Sequence, residues 1–187
     1  FFRGVKKLLP AHWMEWKDGR LTVQRYWKPA FTPDEGPSLA DWERAISDAM
    51  KESVAAHKIA DVEVGSFLSS GVDSSYMAAL AGVDKTFTVG FANKQYDETD
   101  YAREFSAHIG VKNHAYRITP EEYWANLGRI QYHMDEPLAD AASVALYFVN
   151  REAAKQVKVC LSGEGADEFF GGYNIYQEPF TVSWYDH

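Results

Sequence analysis

No run of apolar residues in this chain approaches the roughly 18–20 needed to span a bilayer, and no segment reads as a secretory signal, so a membrane protein is not expected. Cysteine occurs once, at Cys160, which excludes an internal disulfide framework and fits a reducing compartment, the cytosol. Positive charge is scarce. Nineteen Lys and Arg face 27 Asp and Glu, and a net charge of −8 argues against general binding to nucleic acid or to anionic membranes. No Gly-Lys pair occurs, so the G-x-x-x-x-G-K-[ST] loop of γ-phosphate-cleaving enzymes is absent. His133 has no second histidine at metal-ligand spacing, and the chain shows neither internal repeats nor low-complexity tracts. His108 and His114 flank an I-G-V turn and are expected to be solvated.

What is present suits a folded domain. Apolar residues make up 46% of 187 positions, enough for a core of one domain plus an appendage. Residues 1–37 carry a D-G turn at Asp18 and Gly19 between short alternating runs, a hairpin signal, and end in a linker marked by Pro29, Pro33, Gly36 and Pro37. Trp13, Trp16 and Trp27 there read as packing against a neighbouring domain, with a ring-stacking site as the alternative. Ser38 caps a helix running to about residue 58, with apolar spacing through Leu39, Trp42, Ile46, Ala49, Met50 and Val54. Strands are expected near 62–68, 85–90, 112–118 and 157–161, and helices near 74–81, 97–109, 120–132 and 142–156. Thr119-Pro120-Glu121-Glu122 has the form of a capping box with proline at the first helical position. Strands alternating with helices predict an α/β fold, a Rossmann-like parallel sheet with helices on both faces. Cys160, on the apolar run V-K-V-C-L, is expected to be buried and inert.

Two stretches carry chemistry. Phe67–Ser75, F-L-S-S-G-V-D-S-S, follows an apolar strand and precedes a run of helix formers. A strand turning into a helix aims unpaired N–H groups and the positive dipole end at one point, where an anion can sit. Gly71 leaves room for close approach, and Ser69, Ser70, Ser74 and Ser75 add hydroxyl donors. Asp73 would repel a polyphosphate unless a divalent cation lies between, which predicts Mg²⁺; the other reading is a serine-rich turn with Asp73 as the helix N-cap. The second stretch, Val157–Tyr173, runs V-K-V-C-L-S-G-E-G-A-D-E-F-F-G-G-Y. It places Glu164, Asp167 and Glu168 within five residues, among glycines that are conformationally costly unless the backbone needs them. A solvated acidic loop is the alternative. On neighbouring strands of a parallel sheet, two such turns face one crevice.

S-S-G-V-D-S resembles the S-G-G-x-D-S pyrophosphate loop of the N-type ATP pyrophosphatases (adenine nucleotide alpha hydrolases), with Ser70 where the pattern has its first glycine. S-G-E-G-A-D-E-x-x-G-G-Y resembles the second signature of the asparagine synthetase family. Thr86–Phe91, Tyr96–Gly110, His133–Pro137, Tyr147–Arg151 and Gly171–Tyr176 are also similar, so the likeness covers about residues 39–180, and the first thirty or so resemble what precedes this domain in glutamine-dependent members. The resemblance implies that 1–37 is the tail of a glutaminase domain plus linker, and 38–187 the N-terminal part of the synthetase domain. The chain is then a middle piece, lacking the N-terminal cysteine that releases ammonia from glutamine and a later lysine.

By the same resemblance, the intact protein is a carbon–nitrogen ligase with glutamine as amido donor. It converts L-aspartate to L-asparagine through β-aspartyl-AMP, using ATP and Mg²⁺ and releasing AMP and pyrophosphate. Ser69, Gly71, Ser74 and Ser75, with Ser70 in the same loop, are implied at the pyrophosphate. Leu68, Val89, Gly90, Ser162 and Gly163 are implied at AMP, and Asp73 and Asp167 at Mg²⁺. Glu164 is the implied catalytic acid, while Glu98 and Asp135 lie in matching acidic segments. Implied partners are aspartate, ATP, ammonia from glutamine and the glutaminase domain, with a homodimer allowed for the intact enzyme. A β-lactam synthetase or other amide-forming relative would share both loops. A non-catalytic nucleotide-binding module is opposed by three costly acids, and a tRNA-modifying thiolase or lysidine synthetase by the acidic charge.

Overall fold

The structure, a computed structural model, describes residues 2–136, 140 and 142–181. It divides into two compact units, residues 1–45 and 46–187. In the first, strands β1 (His12–Lys17) and β2 (Arg20–Arg25) pair antiparallel with Lys17 opposite Arg20. Asp18 and Gly19 both take positive φ, 50° and 75°, as a two-residue hairpin turn with the right twist demands. Trp13, Trp16 and Trp27 remain exposed.

Helix α1 (Leu39–His57) starts where Ser38 predicts. Asp41 Oδ2 accepts from the Ser38 N–H and hydroxyl at 3.1 and 2.6 Å, and the Asp41 N–H donates back to Ser38 Oγ at 3.3 Å. Val54 is the buried residue of this helix, and Leu39, Trp42 and Ile46 stay exposed.

The second unit is built on four parallel strands: β3 (Val64–Phe67), β4 (Lys85–Phe91), β5 (Lys112–Ile118) and β6 (Val159–Leu161), in the order β5-β4-β3-β6. Alternation along β4 sorts the two faces. Phe87, Val89 and Phe91 pack with α4 (Pro120–His133) and α5 (Ala142–Ala153). The other face meets α2 (Val72–Ala81), α3 (Thr99–His108) and the Val54 end of α1. Thr86 and Thr88 point to that second face and are buried, so their hydroxyls need partners. Thr86 Oγ1 meets Ser106 Oγ on α3 at 2.8 Å, Asn113 Nδ2 donates to both threonines at 3.0 Å, and Thr88 Oγ1 donates to the Leu68 carbonyl at 2.8 Å. The buried chain of hydroxyls thus ends on the first residue of the serine-rich loop. No described helix is long and apolar enough to cross a membrane.

Several boundaries differ from expectation for local reasons. Gly71, extended at φ −72° and ψ 149°, is the residue before α2, so the helix begins at Val72 and Asp73 lies inside its first turn; Asp73 is not the N-cap. The Asp97 carboxylate takes the Thr99 N–H, which delays α3 to Thr99. The Gln156 and Val157 amides both return to the Ala153 carbonyl, closing α5 early in a tight turn. The Thr119 capping box is present in full. Two short helices, α6 (Ala166–Phe170) and α7 (Glu178–Thr181), had no distinct signal. His114 is only partly solvated: its ring stacks on Phe87 at 5.5 Å, Nδ1 meets Gln156 at 2.8 Å, and burial pushes its pKa below 6.5. Pro137, in the H-M-D-E-P segment, lies outside the described residues.

Candidate functional site

The chain runs outward from β3 through β4 to β5, then returns to β6 on the other side of β3. A crevice opens outside the carboxyl ends of parallel strands at such a reversal. The segments leaving β3 and β6 there are the two turns singled out by sequence.

The first is locked by its own polar groups. Leu68 is anchored twice, its N–H donating to the Phe87 carbonyl at 2.9 Å and its carbonyl accepting from Thr88. Ser74 Oγ accepts the Ser69 N–H at 3.0 Å, meets Ser69 Oγ at 2.8 Å, and donates to the Gly71 carbonyl at 3.2 Å. The Gly71 N–H donates to Ser69 Oγ at 3.1 Å, and buried Ser75 donates through Oγ to the Gly71 carbonyl at 2.9 Å. The Ser70 N–H differs, donating to Glu98 Oε2 at 2.9 Å.

The second turn meets the first at Gly163. A Cβ there would lie 3.1 Å from the Asp73 carbonyl carbon and from the Ser74 nitrogen, so any side chain would force the start of α2 to give by a few tenths of an ångström. Gly165 and Gly171, on either side of α6, take φ of 94° and 68°, conformations that L side chains rarely adopt. The glycines of the motif therefore answer to backbone demands. The Tyr173 hydroxyl donates to Glu168 Oε1 at 3.1 Å, and that bond, with the carboxylate's charge, raises the phenol's pKa.

Together the turns border a cleft of about 400 Å³, the size of a small-molecule site. Phe67, Phe87 and Phe91 give it apolar surface, α5 adds Leu146 and Val149, and Asp73, Glu98, Glu164 and Asp167 give it four carboxylates. Of the residues singled out by sequence, Leu68, Ser69, Gly71, Asp73 and Ser74 line it from the first strand's loop, Val89 from β4, and Ser162, Gly163, Glu164 and Asp167 from the second turn. Ser70, Ser75, Gly90 and Asp135 are not among its lining residues. Gly90 is buried, and Asp135 has a positive φ of 58°. The α5 wall was missed, although apolar residues at helical spacing in S-V-A-L-Y-F-V were its visible signal. Cys160 is half-buried rather than buried. Desolvation pushes its thiol up to about 11, which favours the protonated form over the reactive thiolate at neutral pH.

The donor set fits a polyphosphate that carries its own cation. The loop presents small donors at a helix start, and no Lys, Arg or His is among the described residues lining the cleft to neutralise an anion. Asp73 and Asp167, the acids implied at Mg²⁺, both line the cleft, and the described residues include no group of three or more acids, histidines or cysteines able to hold a metal unaided.

Residues 45–187 match the family model for asparagine synthase. The chain belongs to the asparagine synthase family. It is 45% identical over 185 residues to asparagine synthetase [glutamine-hydrolyzing] 1 of Bacillus subtilis, covering 95% of this chain and 29% of that protein. It is 42% identical over 195 residues to a putative asparagine synthetase [glutamine-hydrolyzing] of Mycobacterium tuberculosis, covering 99% and 30%. The chain thus spans less than a third of the length of these family members. Superposition on NMN synthetase from Francisella tularensis gives a TM-score of 0.45 at 18% identity, over 73% of this chain and 58% of that one, a likeness too weak to bear on function.

Proposed function

We propose that the chain is the ATP-binding and adenylating part of a glutamine-dependent asparagine synthetase. Residues 38–187 then belong to the synthetase domain and 1–37 to the end of a glutaminase domain and its linker. The reaction joins the β-carboxylate of aspartate to the α-phosphate of ATP with loss of pyrophosphate, and ammonia then displaces AMP. The observation that carries this reading is the contact of Gly163 with the Asp73–Ser74 backbone, which puts the acidic turn and the serine-rich loop on one cleft.

In this reading the apolar side of the cleft, with Leu68 and Val89, takes the adenine ring. Main-chain groups at Ser162 and Gly163 hold the rest of AMP. The loop from Ser69 to Ser75 holds the pyrophosphate, where negative charge builds as it leaves, and donors fixed in advance stabilise that charge most. Asp73 and Asp167 would hold Mg²⁺ entering with the nucleotide, and the ion supplies neutralising charge at the phosphates. Glu164, exposed at the mouth with its N–H bonded to Ser162 Oγ at 3.2 Å, orients the attack and handles a proton of the incoming ammonia. On this reading a cytosolic enzyme is expected, where aspartate, glutamine and ATP are at hand, and a homodimer of the whole protein is compatible with it.

The full-length protein, given aspartate, Mg·ATP and either glutamine or ammonium, is expected to form asparagine, AMP and pyrophosphate in equal amounts. Release of ADP and phosphate, or pyrophosphate formation indifferent to aspartate, would overturn the assignment. A β-lactam-type relative would show itself by ignoring aspartate while consuming another carboxylic acid.

A further inference from the structure

The Ser70 amide is the one in the serine-rich loop that bonds to a carboxylate from another element. Its neighbours Ser69 and Gly71 donate to hydroxyls of the loop itself, whereas Ser70 donates to Glu98 Oε2 at 2.9 Å, across a separation of 28 residues. Glu98 stands immediately before α3, a position from which an acidic side chain commonly folds back onto its own helix. It makes no such bond here and is free to reach the loop.

Its neighbours fix its position. Asp97 Oδ1 accepts from the Thr99 N–H at 3.1 Å and hydroxyl at 2.7 Å. Arg117 on β5 donates through Nε to Asp97 Oδ2 at 2.8 Å and through its terminal nitrogen to Thr99 Oγ1 at 3.0 Å. The Asp97 carboxylate rests over β4 at Gly90, where a Cβ would lie 2.2 Å from Oδ1. Any side chain at Gly90 would therefore displace the Asp97 carboxylate, next in sequence to Glu98. Gly90 then serves the site from outside the cleft.

We propose that Glu98 is a specificity-determining residue: in the free protein its carboxylate occupies the Ser70 amide that a phosphate oxygen takes on binding, and so it sets the preference for metal-complexed over metal-free polyphosphate. This rests on the nucleotide reading above. A bare polyphosphate has to displace one carboxylate and then lie among four, Asp73, Glu98, Glu164 and Asp167. Like charges disfavour that state, and a bound divalent cation relieves it.

The test titrates the full-length wild type, Glu98→Gln and Glu98→Ala calorimetrically with ATP and with inorganic pyrophosphate, each in Mg²⁺ and in EDTA. Both variants are expected to bind the metal-free ligands more tightly, on the order of 10-fold, the scale of one charge-assisted hydrogen bond. Binding of the Mg²⁺ complexes should change by less than about 3-fold, so that the wild type's metal preference narrows. In the ligand-free protein, amide exchange at Ser70 should quicken in Glu98→Ala, a change seen without any ligand. The isosteric Glu98→Gln guards against loss of the fold. A wild type that binds Mg·ATP alongside variants with unchanged metal-free affinity overturns the role of Glu98 and leaves the nucleotide reading standing. A wild type that binds neither form of ATP overturns both.

Discussion

Residues 68–75, after β3, hold their shape with their own hydroxyls, whereas residues 162–173, after β6, are shaped mainly by glycines and leave the carboxylates of Glu164 and Asp167 to the cleft. The hydroxyl of Ser74 serves the Ser69 amide, the Ser69 hydroxyl and the Gly71 carbonyl at once. It is part of the loop's frame before it is anything to a ligand. Glu164 makes no comparable framework bond through its side chain, and its neighbours Gly163 and Gly165 do the shaping. Substitution of Ser74 in the first loop should therefore change binding through shape, and substitution of Glu164 in the second should change chemistry with binding intact.

The largest expected effect lies in the second turn. Glu164→Gln in the full-length protein should lower asparagine formation by about 10²-fold or more, the scale of a lost acid–base or electrostatic group. Titration with Mg·ATP should give an affinity near that of the wild type. An exposed glutamate that only solvates a loop would change little on substitution, within about 0.5 kcal/mol. Wild-type turnover in this variant would remove the contrast between the loops. Parallel loss of binding and turnover would move Glu164 into the frame beside Ser74.

Gly163 is where the two regions meet, and Gly163→Ala should disturb both. The added methyl would stand 3.1 Å from two backbone atoms at the start of α2, which yield only if the helix shifts. Overpacking of this kind costs about 1–3 kcal/mol. Affinities for AMP and for Mg·ATP should fall together, by roughly 10-fold, because the whole crevice widens. A loss confined to Mg·ATP would place the strain at the phosphate end alone.

The sequence made some of this architecture plain and hid the rest for physical reasons. The start of α4 was readable because its signal is local: Thr119, Pro120 and Glu122 lie within four residues. The glycines of the second turn announced unusual backbone, and that backbone is there. The partners of the hydroxyls were not readable. Ser69, Ser70, Ser74 and Ser75 look alike in sequence, yet one is buried, two brace the loop, and the fourth gives its amide to Glu98, a residue on another element. Asp73 looked like a cap because the helix start was placed two residues late, and only the extended backbone of Gly71 corrects that.

Within the first loop, Ser74→Ala removes the hydroxyl that joins Ser69 to Gly71. One neutral hydrogen bond contributes about 0.5–1.5 kcal/mol, and an amide left without its acceptor adds to the loss. Affinity for pyrophosphate should drop by about 5- to 10-fold, with exchange of the Ser69 amide faster in the ligand-free protein. Ser74→Thr keeps the hydroxyl and should recover much of both. Recovery of affinity without recovery of Ser69 protection would mean that the hydroxyl acts on the ligand and not on the loop.

The smallest expected effect lies outside both loops, in the sheet that carries them. Burial is the main cause of the lowered pKa of His114, and the charges of Lys112 and Lys85 add to it. A histidine with a depressed folded-state pKa binds fewer protons folded than unfolded over the interval between the two values. Stability is therefore fully present above the unfolded value near 6.5 and is lost as pH falls through that interval. Comparing the wild type with His114→Gln over the step from pH 7 to pH 5.5 isolates this imidazole, because all other groups are shared by the two proteins. The wild type should lose more melting temperature over that step than His114→Gln, by no more than about 2–4 °C for a domain of this size. Stacking on Phe87, which packs with β3 and α5, makes protonation of His114 a strain on the sheet itself. Acid should accordingly loosen both loops alike and leave the contrast between them unchanged. An equal pH slope in the two proteins would show that the ring reaches water in solution.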